Sequence, residues 1–250
     1  MRIARTLARK ALHRLGYALV PLDYARPTNT LGSPTISGSF PPRRIYSSTG
    51  NRENYFIHAG YSSRRKAMYF DDRAAGDEWQ REVYKFAQEI AERERLNTIC
   101  DLGCGSGSKL MRNFRNSTTV GIDVAETCKH LRARWPDRSW LEWNPNNIPQ
   151  VPIDLVIAAD VIEHLVDPDE LLLYIQRLCP RYVVVSTPDR NLLRYGCHDG
   201  PPTNSAHIRE WSFAEFDVYI DQFFQVEEHF ITFPQQATQC ILCKPRGKAE

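Results

Sequence analysis

A glycine-rich turn directly after a short apolar segment places the strongest constraint on how this chain folds. Residues 98–102 are mostly apolar, and the turn contains Gly103, Gly105 and Gly107 before a helix-compatible run at 109–114. Glycine tolerates positive φ and lets a ligand approach the backbone closely, while the start of the following helix offers unpaired N–H groups. We predict a strand, a turn and a helix with a ligand at the turn; a tight connection without a ligand is the alternative.

Three further apolar segments, at 119–123, 153–159 and 182–188, are predicted to be strands. The first of them ends in Asp123, twenty residues after Gly103. A nucleoside-binding fold places a carboxylate at this distance to accept hydrogen bonds from ribose hydroxyls. Continuous apolar strands that alternate with helices indicate a parallel sheet covered on both faces.

The helices and the last strands are predicted from apolar spacing and capping residues. A helix at 78–93 places one apolar face toward the sheet, formed by Trp79, Val83, Phe86, Ala87 and Ile90. A second helix begins at Asp167 and Pro168, and a third begins at the capping box of Ser212 and Glu215. Residues 223–230 and 237–243 form a hairpin-like pair of strands around 234–236.

The order of these motifs resembles class I S-adenosylmethionine-dependent methyltransferases, in the small-molecule branch that includes quinone-biosynthesis and glycan-associated bacterial enzymes. The resemblance rests on residues 100–107, 120–123, 154–157 and 161–165, and it extends over about 79–244. It implies a Rossmann-like α/β fold: a mostly parallel seven-stranded sheet with one antiparallel strand near the carboxyl terminus and helices on both faces.

The same resemblance implies where the cofactor S-adenosylmethionine binds. Asp101 would support its amino group, Asp123 would hold its ribose, and Asn144 stands where the family often has an acid near the adenine. The full set of implied cofactor-binding residues is Asp101, Gly103, Cys104, Gly105, Asp123, Val124, Asn144, Ala159 and Asp160. The implied reaction transfers a methyl group to a hydroxyl of a small molecule, glycan or lipid.

The stretch 188–211 is predicted to select the substrate, because it leaves the carboxyl end of the fourth strand. His207 lies in an H-x-R-E-W element that resembles one in bacterial relatives, and we predict it to be the general base. A histidine that only orients the loop is the alternative, and His164 is the rival base. The stretch also concentrates polar residues, namely Arg190, Arg194, His198, Asp199 and Arg209.

Two other functions stay open at the level of the sequence. A nicotinamide-dependent oxidoreductase would share the turn and Asp123, but Ser108 occupies the position of the last glycine in its usual G-x-G-x-x-G fingerprint. A non-catalytic cofactor-binding protein would keep the fold and lose the acceptor pocket.

The seven cysteines show no disulfide framework, which favours a reducing compartment and a cytoplasmic protein. Cys240 and Cys243 form a C-x-x-C within a predicted strand, where this spacing directs the two side chains to opposite faces. We therefore assign these two cysteines to packing and predict no metal site.

Charge divides the chain into a basic extension at 1–70 and a catalytic domain at 71–250. Residues 1–66 contain twelve Lys or Arg and two acids, whereas the remainder carries 20 basic and 28 acidic residues. A nucleic-acid enzyme is expected to carry a basic catalytic face, so we predict that the acceptor is not nucleic acid.

Residues 1–20 combine helical apolar spacing with basic residues, and three interpretations compete. They are an amphipathic helix on the inner, anionic face of a membrane, an organelle transit peptide, and a helix packed on the domain. Residues 21–50 are predicted to be a linker, and the aromatic and basic residues at 55–70 line a pocket or pack across the domain edge.

Overall fold

The computed structural model describes residues 55–57, 61–66, 71–76, 78–194 and 201–246. The predictions for residues 1–54 and for His198 and Asp199 lie outside the described residues. The elements follow the order α1 (Arg81–Glu94), β1 (Thr98–Leu102), α2 (Ser108–Asn113), β2 (Thr118–Asp123), α3 (Ala125–Arg134), β3 (Ser139–Glu142), β4 (Leu155–Ala159), a 3₁₀ turn (Ile162–His164), α4 (Pro168–Leu178), β5 (Tyr182–Pro188), α5 (Arg190–Arg194), α6 (Phe213–Ile220), β6 (Phe224–Phe233), a 3₁₀ turn (Pro234–Gln236) and β7 (Thr238–Pro245).

All seven strands form one sheet in the order β3-β2-β1-β4-β5-β7-β6. β7 runs antiparallel to both of its neighbours, and the other pairs are parallel. The predicted sheet with a single antiparallel strand near the carboxyl terminus is therefore confirmed. Strand order reverses between β1 and β4, and open α/β sheets bind ligands outside the carboxyl ends of such strands.

Alternating residues of the central strands enter two separate cores, one on each face of the sheet. Cys100 and Leu102 of β1 pack on the face that α4 and α6 cover, while Ile99 packs on the face that α1 and α2 cover. Cys243 and Cys240 divide in the same way, which confirms the sequence interpretation of the C-x-x-C. In the described part of the chain, no helix is long and apolar enough to span a bilayer.

The predicted first helix begins too early. Gln80 adopts a left-handed conformation with φ 61°, so α1 starts at Arg81. Trp79 therefore precedes the helix and is 60% exposed, whereas the other residues of the predicted apolar face are buried. The predicted cap at Asp167 is in place before α4, although its side chain makes no capping hydrogen bond. The capping box of Ser212 and Glu215 is present as predicted.

Residues 55–57 and 61–66 pack against the segment before α6. The Trp211 indole N–H donates to the Tyr55 carbonyl over 3.0 Å, and the Arg209 guanidinium lies 4.3 Å from the Tyr55 ring centroid. The Tyr61 hydroxyl accepts from the Glu210 amide over 2.8 Å. In the described part of this segment, the aromatic residues thus pack across the domain edge, one of the two roles considered for them.

A buried ion pair fixes the start of the predicted substrate stretch. The Arg190 side chain is 1% exposed and its Nη2 lies 2.7 Å from Glu215 Oε2 at the first turn of α6. Its Nη1 donates to the Glu210 carbonyl over 2.7 Å. Arg190 was predicted to lie in a loop that faces the substrate, but it belongs to α5 and its charge is used inside the protein.

We expect Arg190→Met to lower the free energy of unfolding by about 3–5 kcal/mol, because it leaves the Glu215 carboxylate buried without its cation. The matched control is Lys85→Met, since Lys85 is 51% exposed in its pair with Glu82. An exposed pair of this kind contributes at most about 1 kcal/mol. Urea denaturation of both variants measures the difference, and equal losses would contradict the assigned role of Arg190.

Candidate functional site

The glycine turn between β1 and α2 presents bare backbone at the carboxyl end of β1. Gly103 and Gly105 have φ of 70° and 51°, which side chains other than glycine rarely adopt. A Cβ atom on Gly103 would lie 2.4 Å from Val161 Cγ2, and one on Gly105 would lie 1.8 Å from Asp72 Oδ2. The turn therefore requires glycine for its conformation and for the close approach of its neighbours.

Asp123 lies against this turn, as the spacing predicted. Its Oδ2 accepts from the Gly105 amide over 2.8 Å, and its Oδ1 accepts from the Val124 amide over 2.7 Å. Burial raises the pKa of this carboxyl, and the two amide donors act in the opposite direction. The carboxylate is half-buried at the end of β2 and is held in place by backbone on both sides.

Asp101 is a fully buried carboxyl with one unused acceptor. Its Oδ2 accepts from the Tyr84 hydroxyl over 2.8 Å, and its Oδ1 has no hydrogen-bond partner among the described residues. Burial raises its pKa to about 7, against the effect of the Tyr84 hydrogen bond. A buried acceptor without a donor is costly, so this atom fits the amino group of a ligand at the turn. Tyr84 was not predicted, although it neighbours Val83 of the apolar face.

The other implied cofactor residues differ in what they offer. The Cys104 side chain points into the core, where a Cβ on Gly121 would lie 2.9 Å from its sulfur. Only the backbone of Cys104 therefore remains for a ligand. Val124 is 43% exposed beside Asp123. The Ala159 carbonyl accepts from Gln80 over 3.2 Å, and the Asp160 carboxylate accepts from the Ser186 hydroxyl over 2.6 Å.

Asn144 lies at the carboxyl end of β3 and is exposed. Its side-chain oxygen accepts from the Asn146 amide over 2.9 Å, which closes a short turn. The preceding residue, Trp143, donates its amide to the Asp123 carbonyl over 2.7 Å. Asn144 is therefore at the same edge of the sheet as Asp123.

The 3₁₀ turn after β4 carries a second group of ionisable residues. Glu163 is completely buried; its Oε2 accepts from the Thr187 hydroxyl over 3.0 Å, and its Oε1 has no hydrogen-bond partner in the described structure. Burial and the neighbouring Asp160 raise the pKa of this carboxyl to about 8. Its Oε1 lies 4.0 Å from His164 Nε2.

The two candidate bases, His164 and His207, lie together, with ring centroids 4.9 Å apart and planes nearly perpendicular. His164 Nδ1 lies 2.9 Å from the Ala206 carbonyl, so Nδ1 carries the proton and the lone pair is on Nε2. Burial lowers the pKa of His164. The His164 side chain is 30% exposed, against 9% for His207, so the Nε2 lone pair of His164 is more accessible than that of His207.

His207 is bonded through both ring nitrogens. Nδ1 lies 3.1 Å from Glu210 Oε1, and Nε2 lies 3.0 Å from the Asn204 amide nitrogen. The Asn204 oxygen accepts from the Ala206 amide, which fixes the orientation of the side-chain amide, so Asn204 Nδ2 donates and His207 Nε2 accepts. Neither Glu210 nor Asn204 was predicted as a site residue, because no motif marks a partner inside a loop.

Ligand atoms of Glu163, His164 and His207 all lie within 4.8 Å of one another. Two imidazoles and a carboxylate are a donor set that binds divalent transition metals. The sequence analysis predicted no metal site here, because these residues come from two separate segments.

Arg209 does not face the site as a substrate ligand. It is 3% exposed, and its guanidinium donates to the carbonyls of Leu165 and Val166 over 2.8 and 2.9 Å. Arg194 lies with its Nε 3.3 Å from Glu210 Oε2. The cations of this stretch therefore hold the loop against the turn that carries His164.

The matches to known proteins agree with this geometry. A family model described as a methyltransferase domain matches residues 72–216. No curated protein sequence matches the chain. Among solved structures, a SAM-dependent methyltransferase from Aquifex aeolicus superposes with a TM-score of 0.53 at 16% identity, covering 71% of this chain and 100% of the other.

Two further structures share the fold. Magnesium protoporphyrin IX methyltransferase from Synechocystis PCC 6803, with bound SAH, gives a TM-score of 0.52 at 14% identity and covers 67% of this chain and 84% of the other. The small RNA methyltransferase HEN1 gives 0.52 at 18% identity, covering 76% of this chain and 27% of the other. The matched family region contains the glycine turn, Asp123 and the histidine pair, and the chain belongs to the methyltransferase-domain family, with S-adenosylmethionine as its cofactor.

Proposed function

We propose that this protein transfers the methyl group of S-adenosylmethionine to a hydroxyl of a small molecule, glycan or lipid. The observation that carries the proposal is the position of His164 and His207 at the carboxyl end of β4, beside the β1 end that carries the glycine turn. A cofactor on the turn would have its reactive end near groups suited to take a proton from a hydroxyl. Membership of the methyltransferase family leaves no support for the nicotinamide-dependent alternative.

Three residues are proposed to hold the cofactor. Asp101 offers its unpaired Oδ1 to the amino group, and Asp123 accepts from the ribose hydroxyls with the oxygen lone pairs that its two amide bonds leave free. Asn144 would contact the adenine from the end of β3. The backbone from Gly103 to Gly105, including Cys104, lines the methionine part, and Val124, Ala159 and Asp160 complete the wall.

When bound, the cofactor supplies an electrophilic methyl carbon on a sulfonium. The protein would hold the acceptor oxygen in line with this carbon, and a base of the protein would take the proton of the acceptor hydroxyl. Positioning an acceptor in line can contribute roughly 7–11 kcal/mol, and proton removal by a histidine typically adds about 10²–10⁴ in rate.

We propose His207 as that base and His164 as its neighbour that orients the acceptor. Glu210 accepts from Nδ1, which leaves the lone pair on Nε2, and its carboxylate would lie beside the imidazolium that forms when Nε2 takes the proton. The acceptor hydroxyl would replace the Asn204 amide at Nε2. His164 has a neutral carbonyl at Nδ1 and a pKa lowered by burial, so it gains a proton less readily.

A divalent cation is the second role that this cluster supports. Both histidines have Nδ1 beside an acceptor, which leaves the lone pair on Nε2, and metal-binding histidines are oriented in this way; at His207 the cation would displace the Asn204 amide. The unpaired Glu163 Oε1 would be the third ligand. A cation there would polarise the acceptor oxygen and take the place of the base.

We propose that the acceptor is not nucleic acid, which the acidic balance of residues 67–250 supports. The small RNA methyltransferase among the similar structures makes RNA the competing acceptor. The proposed cytoplasmic location and the contact of residues 1–20 with the inner face of a membrane rest on the sequence, and those residues lie outside the described part.

The pKa of Asp101 predicts that cofactor binding releases protons. At pH 7 this carboxyl, with a pKa of about 7, is roughly half protonated before binding. An ammonium group beside Oδ1 lowers the pKa, so binding of S-adenosylhomocysteine should release about half a proton at pH 7 and strengthen as the pH rises through 7.

Calorimetry in buffers with different enthalpies of ionisation measures this release. The native protein should show an apparent enthalpy that depends on the buffer, and Asp101→Asn should remove that dependence while weakening the affinity. An enthalpy that is the same in every buffer would contradict the role assigned to Asp101.

We expect His207→Ala to lower turnover by about 10² or more with nearly unchanged cofactor affinity, because an interaction of the transition state is lost. His164→Ala is the matched control and should reduce turnover less. The assay screens hydroxylated small molecules, glycans and lipids against cofactor with a labelled methyl group. Retained turnover in His207→Ala and its loss in His164→Ala would reverse the roles.

Removing metal ions distinguishes the two proposed roles of the histidine cluster, general base and divalent-cation site. If His207 is a base, turnover survives EDTA and Glu163→Gln has little effect. Loss of turnover with EDTA, restored by a divalent cation, would assign the cluster to metal binding and exclude the simple base.

A further inference from the structure

The Asp72 side chain lies directly on the glycine turn. A Cβ atom built on Gly105 would be 1.8 Å from Asp72 Oδ2, 2.5 Å from its Cγ and 2.8 Å from its Oδ1. The whole carboxylate therefore occupies the space in which any other residue at position 105 would place its side chain. The opposite side of Gly105 is bonded to Asp123 through its amide, so two carboxylates converge on one glycine.

The backbone that carries Asp72 is anchored by its neighbours. Arg73 pairs with Asp71 over 2.6 Å and with Glu126 of α3 over 3.1 Å. The Ala75 amide donates to the Asp72 carbonyl over 2.8 Å, which closes a turn. Residues 71–76 thus form a strap that crosses from the helix after Asp123 to the glycine turn.

The Asp72 carboxylate accepts from its own backbone amide. Within the described residues, no hydrogen bond or ion pair joins it to another side chain. Burial raises the pKa of this half-buried carboxyl, and the nearby Asp123 raises it further. A carboxylate held close to another without a cation between them is unfavourable, which points to a positively charged ligand at this place.

The surrounding charges give the same indication. Asp72, Asp101 and Asp123 act on one another electrostatically at the turn, and Lys109 is the cation that lowers the pKa of both Asp72 and Asp101. With Asp101 about half protonated at pH 7, these three carboxyls still outweigh the charge of Lys109. S-adenosylmethionine and the product of methyl transfer both carry an ammonium and a carboxylate, and only S-adenosylmethionine has the additional positive charge of the sulfonium.

We propose that Asp72 is a further cofactor-binding residue, whose carboxylate pairs with the sulfonium and makes the site prefer S-adenosylmethionine to S-adenosylhomocysteine. This inference rests on the proposed positions of Asp101 at the amino group and Asp123 at the ribose. The sulfonium lies between these two groups in the covalent structure of the cofactor, and Asp72 acts electrostatically on both acids.

The position relative to the acceptor groups supports the same assignment. The glycine turn on which Asp72 lies also meets the turn that carries His164: a Cβ atom on Gly103 would lie 2.4 Å from Val161 Cγ2, and the Val161 carbonyl accepts from the His164 amide over 3.0 Å. The methyl group to be transferred is attached to the sulfonium, and it must face the acceptor beside the histidines. Asp72 therefore lies on the turn that borders the segment of His164, at the end of the cofactor site where the sulfonium would face the acceptor.

Calorimetric titration of the full-length protein with S-adenosylmethionine and with S-adenosylhomocysteine tests the proposal. Asp72→Asn should weaken S-adenosylmethionine about tenfold and S-adenosylhomocysteine less than about threefold, since only the former loses a charge pair. Retained affinity for S-adenosylhomocysteine also shows that the variant is folded. Asp137→Asn, which removes an exposed carboxylate after α3, is the matched control and should leave both affinities unchanged.

The outcomes separate this inference from the proposed function. Equal weakening of both ligands in Asp72→Asn, or no change in either, would overturn the pairing with the sulfonium while the native affinities uphold the cofactor site. Tighter binding of S-adenosylmethionine would also overturn it and would show that the strap blocks the turn. Absence of binding to the native protein would overturn the cofactor site and this inference together.

Discussion

The hydrogen bond from the Gly105 amide to the Asp123 carboxylate is the interaction on which the candidate site depends. It is 2.8 Å long and joins the turn after β1 to the end of β2. The bond requires the turn to lie close to the sheet, and glycines make this possible. Trp140 fills the space over Gly121, where a Cβ atom would lie 2.3 Å from its ring, and so supports the turn from below. The site is thus built from backbone that tryptophan packing holds in place.

The close packing of the turn against the sheet also brings several carboxyl groups together. Buried or half-buried carboxyls in the site belong to Asp72, Asp101, Asp123, Asp160 and Glu163, and burial raises the pKa of each. Such groups are costly in a folded protein unless a ligand compensates them. Two of their oxygens, Asp101 Oδ1 and Glu163 Oε1, have no hydrogen-bond partner among the described residues. We infer that Asp101 Oδ1 accepts a hydrogen bond from the bound cofactor, and that Glu163 Oε1 contacts the acceptor or a cation bound with it.

The sheet, its antiparallel strand and the division of Cys240 and Cys243 between the two cores could be predicted from the sequence. Continuous apolar runs mark the strands, and the alternation of side chains along a strand places the two cysteines on opposite faces. Asp123 was also placed at the turn by its spacing. The apolar spacing wrongly placed Trp79 in the first helix. Gln80 has a left-handed backbone conformation, so the helix begins only after it, at Arg81. Arg190 and Arg209 were also assigned to the substrate loop, because composition cannot show that a loop arginine is buried.

The partners of the site residues could not be predicted for a related reason. Tyr84, Asn204 and Glu210 reach Asp101 and His207 through tertiary contacts that no local motif encodes. Asp72 lies in a polar stretch without periodicity, and only the folded chain places it on Gly105.

A crystal structure of the protein with S-adenosylhomocysteine would show where the ligand binds relative to the glycine turn. We predict that the ligand lies across this turn, with its amino nitrogen within hydrogen-bond distance of Asp101 Oδ1 and its ribose hydroxyls on Asp123. Its sulfur should face the space between Asp72 and His164. A ligand bound elsewhere, or one whose amino group leaves Asp101 Oδ1 without a partner, would contradict the account.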